Sequence, residues 1–357
     1  MHHHSTDTSD RPLVGPKHPP CCAAPKALRL VTGASAVLAL LALSACSTSA
    51  EGESAASSPS TTSKGAVSSA MLVGEGRVDG KFGVFLFDGA GQKVRRLDDP
   101  SGSAQHPDPS PDGKSVVFTN SDETLWLVNI DGTNAHRLLA CDSTCGALDN
   151  AAFSPDGHRI AYTAAVPAPG GPPSSTTIRV LDLDTMKSSD VITSAYPNLN
   201  DVPRWSPVGT RLVVGVDHFD DNGNEIGSAI GVVAIDSGTL TPLVDPATFA
   251  YAPDWNSVTG EIVYSTETRE FRSGGITNDD TWNLFAIRPD ATHQRTITSL
   301  PAGERLKMPY WSLDGTTLFA VYYRQGIYSE VHIDATTGTI TPISTGVGTH
   351  VHPIPTT

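Results

Sequence analysis

The chain has 357 residues, of which only 17% are charged, with 32 glycines and 27 prolines. That mixture argues against long surface helices and favours many short strands joined by tight turns. The formal net charge is -14, so the body repels phosphate backbones, which argues against a nucleic-acid partner and reads as a solvated, soluble surface.

Residues 1–45 read as an export signal with an N-terminal extension. Lys26 and Arg29 precede an apolar run, Leu30 to Leu43, that is shorter than the ~20 residues of a membrane span. The run ends in Leu43-Ser44-Ala45-Cys46. This resembles the bacterial lipobox, and the resemblance implies that the Cys46 thiol carries lipid and becomes the mature N-terminus. His2, His3 and His4 read as a disordered end. Residues 46–70 are Ser, Thr, Ala, Gly and Glu with almost no large apolar side chain. They cannot bury enough surface to fold, and read as a flexible tether.

From residue 71 to 357 the sequence repeats. Five segments share one pattern: His106-Pro-Asp-Pro-Ser-Pro-Asp-Gly113, Asn150-Ala-Ala-Phe-Ser-Pro-Asp-Gly157, Val202-Pro-Arg-Trp-Ser-Pro-Val-Gly209, Ala252-Pro-Asp-Trp-Asn-Ser-Val-Thr-Gly260 and Met308-Pro-Tyr-Trp-Ser-Leu-Asp-Gly315. Their closing glycines stand 44, 52, 51 and 55 residues apart, a period that suits four-stranded propeller blades with insertions. Each unit predicts a short strand, a Ser-Pro-Asp-Gly turn, a second strand (Ser115–Phe118, Arg211–Val216), a third (Thr124–Ile130, Ala229–Ile235), a turn (Asp131-Gly132, Ser237-Gly238) and a fourth (His136–Leu139, Leu240–Val244). Residues 71–98 lack a first strand. His352-Pro-Ile-Pro355 echoes His106-Pro-Asp-Pro109, so the C-terminus is expected to supply the missing innermost strand. The fold expected is all-β: a six-bladed β-propeller closed by its C-terminal strand.

Cys141 and Cys145 form an even pair in an exported body, which reads as a disulfide fixing local loop shape. The elaborated loops 166–176, 218–227 and 266–281 fall on one face, where binding is expected. The upstream ends of the first strands enter the channel from that face. They put His106 and His352 at its mouth in equivalent positions of adjacent blades, with His350 nearby and Asp108, Arg204, Asp254 and Tyr310 one step deeper. These seven residues are the candidate binding site. His106 and His352 are weak candidates for a divalent metal, against the plainer reading that they bond backbone and help the seam close. Asp220-Asp-Asn222-Gly-Asn224 resembles the start of a calcium loop but has Glu225 where glycine is required; Asn222-Gly223 alone reads as a hairpin turn. Trp205, Trp255 and Trp311 recur at the repeat period and read as blade packing.

These Ser-Pro-Asp-Gly units resemble the TolB propeller domain and the wider class of such repeats, over roughly residues 71–355. TolB's separate α/β domain has no counterpart; the tether takes its place. There is no Gly-x-Ser-x-Gly elbow, phosphate loop or dinucleotide fingerprint. The expectation is a monomeric, non-catalytic propeller lipoprotein without a cofactor, binding an envelope protein or glycan at the outer face of the cell membrane. The alternative is a glycan-active enzyme of the propeller lyase type, using metal held by the mouth histidines.

Overall fold

The repeated turn is built from contacts two to five residues long. Ser110 Oγ donates to Asp112 Oδ1 (2.6 Å), and Ser115 N donates back to Ser110 Oγ (3.0 Å). Gly113, at φ 67°, donates to Ser110 O. Glycine is needed there twice over, because a Cβ would lie 2.1 Å from the carbonyl oxygen of Pro355. The same bonds recur at Ser154 with Asp156 and at Ser312 with Asp314. In the fourth repeat Asn256 replaces the serine, and its Oδ1 accepts from Val258 N and Thr259 N.

The computed structural model describes residues 71–78, 81–99, 102–141, 145–166, 175–192, 199–220, 225–268, 280–343 and 351–355. All belong to one unit, Val67–Thr357. The expected signal segment, the tether with Cys46, His350, Asn222-Gly223 and the greater part of loops 166–176 and 266–281 lie outside the described residues.

The described residues form β strands and one short 3-10 turn, Pro246–Thr248. The strands fall into antiparallel four-stranded meanders. The first is β1 (Leu72–Val78), β2 (Lys81–Phe87) and β3 (Lys93–Arg96). The second is β4 (Ala104–Pro109), β5 (Ser115–Asn120), β6 (Leu125–Asn129) and β7 (His136–Leu139). The third is β8 (Ala147–Phe153), β9 (Arg159–Val166), β10 (Ser175–Asp182) and β11 (Lys187–Asp190). The fourth is β12 (Leu199–Trp205), β13 (Arg211–Phe219), β14 (Glu225–Ala234) and β15 (Leu240–Pro242). The fifth, β16 (Ala250–Trp255) to β19 (Arg295–Thr296), and the sixth, β20 (Arg305–Trp311) to β23 (Ile340–Pro342), are joined into one larger sheet by a single parallel pair, Trp282 with Arg305. β24 (His352–Pro353) pairs with β1, Val73 opposite His352, and becomes the fourth strand of the first meander. Among the described residues no sheet closes on itself.

Several boundaries differ from expectation; the third strand β14, for one, starts at Glu225 and not at Ala229, because it pairs with β13 as far as Phe219. The second strands run further, to Asn120 and Phe219, because they stay paired with the third strands beyond the apolar run. The fourth strand from Leu240 stops at Pro242, because Asp245 caps the 3-10 turn by accepting from Ala247 N.

Buried side chains fill the spaces between consecutive meanders. Val73, Val84 and Leu86 meet Val116, Phe118 and Val128. Trp205, Trp255 and Trp311 each sit in a different inter-sheet cluster, as expected of packing residues. The sixth meander also meets the first: Tyr310, Phe319 and Ile343 pack with Leu72, Phe85 and Phe87.

Candidate functional site

Five first strands, those of the second to sixth meanders, carry a bulge at the same place. Pairing with the second strand skips between Gln105 and Asp108, Asp149 and Ala152, Asn200 and Arg204, Tyr251 and Asp254, and Lys307 and Tyr310. Within the bulge His106, Asn150, Ala252 and Met308 adopt φ between 49° and 55°, the left-handed region that side chains with a Cβ avoid. Proline follows in most repeats and has no N–H to leave unpaired. Ala151 follows Asn150 and the bulge persists, so the bulge belongs to the repeat and not to proline.

Past the bulge, one side chain per repeat reaches the same depth. Asp108 stands opposite Val117, Arg204 opposite Val213, Asp254 opposite Val263 and Tyr310 opposite Phe319. His352, opposite Val73, is the equivalent of Asp108. This corrects the alignment of His352 with His106. The true echo is His350-Val-His352-Pro353 with His106-Pro-Asp108-Pro109, two residues earlier than the proline-based match.

These side chains converge on Arg204, which is buried. Its Nη1 donates to Asp108 Oδ1 at 2.6 Å, its Nη2 to His352 Nε2 at 3.2 Å, and its Nε lies 3.7 Å from Asp254 Oδ1. The guanidinium stands over the Tyr310 ring at 4.8 Å, a cation–π geometry. Tyr310 in turn packs on the His352 ring at 4.1 Å. As acceptor from Arg204, His352 Nε2 is unprotonated. The carboxylates also clip the next first strand: Asp108 Oδ2 accepts from Phe153 N (2.9 Å), and Asp254 Oδ2 from Trp311 N (2.7 Å). Burial raises the Asp254 pKa to about 6 and raises that of Asp108, while Arg204 pulls both down. Burial likewise raises the Tyr310 phenol.

His106 lies apart from this cluster. Its Nδ1 meets Asp149 Oδ1 at 2.6 Å, and its backbone N donates to Glu75 Oε1 at 2.7 Å. Burial alone would lower its pKa; the charge and hydrogen bond of Asp149, with the charge of Glu75, outweigh it and lift it to about 9. His106 is therefore an imidazolium at neutral pH. The structure thus ties the two histidines to different partners, and among the described residues no group of three or more His, Cys, Asp or Glu side chains is placed to hold a metal.

Three acids escaped the sequence reading. Asp149 precedes the repeat motif and partners His106. Glu75 is buried within β1, and Glu330 is buried within β22 (Ile327–Asp334). Burial, with the charge of Glu75, pushes the Glu330 carboxyl well up. A charged residue inside an apolar strand run was the available signal for both glutamates. The Cys141 and Cys145 sulfurs lie 2.17 Å apart, with Cα atoms at 5.3 Å.

No family model matches the sequence, and no curated protein matches it. Solved structures do. TolB from Acinetobacter baumannii superposes with TM-score 0.58 at 14% identity, over 78% of this chain and 64% of that one. A putative TolB from Agrobacterium tumefaciens gives TM-score 0.56 at 18% identity, over 80% and 98%. The fold is a TolB-like β-propeller. An oligogalacturonate lyase in complex with manganese also shares the propeller, with TM-score 0.50 at 14% identity, over 76% of this chain and 71% of that one. The chain spans less than two thirds of the Acinetobacter TolB. Likenesses at these identities carry the propeller and not an activity.

Proposed function

We propose that the body is a six-bladed propeller whose ring is closed by β24, and that Cys46 anchors it by lipid to the outer face of the cell membrane. It acts there as a non-catalytic module that binds a protein or glycan partner at the mouth face. Ring closure is supported by the β24–β1 pairing and by the packing of the sixth meander on the first. An oxidised Cys141–Cys145 pair suits export and is supported by the sulfur distance.

One observation carries the choice of binder over enzyme. The charged side chains at the deep ring are engaged with one another and with neighbouring backbone, so they hold the sheets in place. Arg204 lies between Asp108, Asp254 and His352 and takes up these candidate ligands itself. The rival, a glycan-active enzyme with metal on His106 and His352, needs both imidazoles free and close together.

The test places a photo-crosslinking residue at Ser121 on the mouth face or at Val208 on the turn face of the full chain in cells. Crosslinks to an envelope component from Ser121 and not from Val208 are expected. Crosslinking from Val208 alone would put the site on the wrong face. The Cys46→Ser chain should lack lipid by mass spectrometry; a lipid-bearing variant would refute the anchor separately.

A further inference from the structure

Between the second and third meanders, at the mouth end, lies an open cavity of about 360 Å³ lined by Ser103, Gln105, Thr119, Asn120, Ser121, Glu123 and Asp149. That size is at the small end of ligand sites, ~300–1,000 Å³. The lining holds no aromatic and no cationic side chain, so it suits neither a nucleobase nor a phosphate.

The state of its polar groups sets it apart. Among the described residues the side chains of Ser103, Gln105, Asn120 and Ser121 make no hydrogen bond. The Thr119 hydroxyl is buried without a partner in a residue only 8% exposed. Ser103, Gln105, Asn120 and Ser121 stand on the open wall of the cavity and are available to a ligand, while the Thr119 hydroxyl is the buried group among the five. Asp149 is held in place: Oδ1 accepts from His106 Nδ1 and Asn150 N (2.8 Å). The Thr119 hydroxyl stands near that carboxylate without completing a bond. Among the described residues Asp149 Oδ2 has only the nearby Thr119 hydroxyl beside it, and the Asp149 side chain is 42% exposed on the cavity wall.

We propose that this cavity is a subsite for one hydroxylated sugar ring. Asp149 accepts from a pair of ring hydroxyls, and the Gln105 and Asn120 amides and the Ser103 and Ser121 hydroxyls complete the set. The proposal rests on the mouth-face reading and narrows it to a glycan. The occupant is neutral or an amino sugar, because Asp149 and Glu123 disfavour a sugar acid. Asp149 binds here and performs no bond-making step.

The experiment is saturation-transfer NMR on the full chain with the methyl glycosides of glucose, galactose, mannose and N-acetylglucosamine. Transfer from at least one glycoside is expected, reduced at least about tenfold in the Gln105→Leu, Asn120→Leu double variant. Those side chains have no internal partner, so the variant should melt like the parent. If it does not fold, Ser121→Trp, which fills the mouth from an exposed hairpin, must abolish transfer instead. No transfer from any glycoside at millimolar concentration, or transfer untouched by these substitutions, overturns the proposal. A protein that crosslinks at Ser121 without any glycoside signal would overturn it while leaving the mouth-face reading intact.

Discussion

The two ends of the sheets solve the same problem in different ways. At the turn end, many polar side chains bond within their own repeat: Ser110 with Asp112, Thr133 with Asp131, Thr185 with Asp182, Thr292 with Asp290 and Thr337 with Asp334; a few, such as Arg159 to Gly209 O and Asn256 to Gly315 O, cross to the next repeat. The bonds within a repeat hold the carboxylates of Asp112, Asp131, Asp182, Asp290 and Asp334 below their ordinary pKa. At the mouth end, bonds run between repeats: Arg204 to Asp108, His106 to Asp149 and Asp108 to Phe153. The lesson is that a repeat can specify most of its own turn bonds, whereas the buried cluster around Arg204 needs several repeats at once.

The comparison breaks first, and most severely, at Arg204. Arg204→Met leaves Asp108 and Asp254 buried without their cation, and stability should fall by about 3–5 kcal/mol in denaturant unfolding. Adding Asp254→Asn should recover part of the loss, because the amide oxygen still accepts from Trp311 N and the burial cost of the charge is gone. No recovery would mean that the cluster works by packing alone.

The next effect is pH-dependent. The His106 pKa is raised in the folded state, so the pair with Asp149 contributes fully below pH 6.5 and is lost as pH rises through about 9. The amplitude should be about 1–2 kcal/mol, since solvent reaches Asp149. His106→Asn keeps a residue tolerant of the left-handed backbone and should flatten the stability profile between pH 6.5 and 9. An unchanged profile would place the titration elsewhere.

The smallest effect belongs to the turn end. Ser312→Ala removes two local bonds, from its hydroxyl to Asp314 and from Thr317 N to its Oγ, and should cost about 0.5–1.5 kcal/mol, with no change in crosslinking from the mouth. A loss as large as that of Arg204→Met would erase the contrast between the two ends.

The same contrast explains what the sequence made legible. Strands and turns could be read because Ser-Pro-Asp-Gly and the β-branched runs act over a few residues. The depth of Asp108, Arg204, Asp254 and Tyr310 could be read because one repeat position sets it. Their roles could not, since each depends on a partner in another repeat. His352 was placed two residues out because the prolines after it mimic the motif, and only pairing with Val73 fixes its register. Asp149 and Glu75 stand outside the motif and acquire meaning only through His106.

The pairing of β24 with β1 has a consequence for biogenesis. During synthesis β1 to β3 emerge early yet wait for almost everything else before their last neighbour, β24, arrives. A chain cut short anywhere ahead of Val351 leaves that edge bare, and the same edge whatever the position of the cut. Proteases that recognise exposed strands would then meet every such copy at a single place, the bare edge of β1.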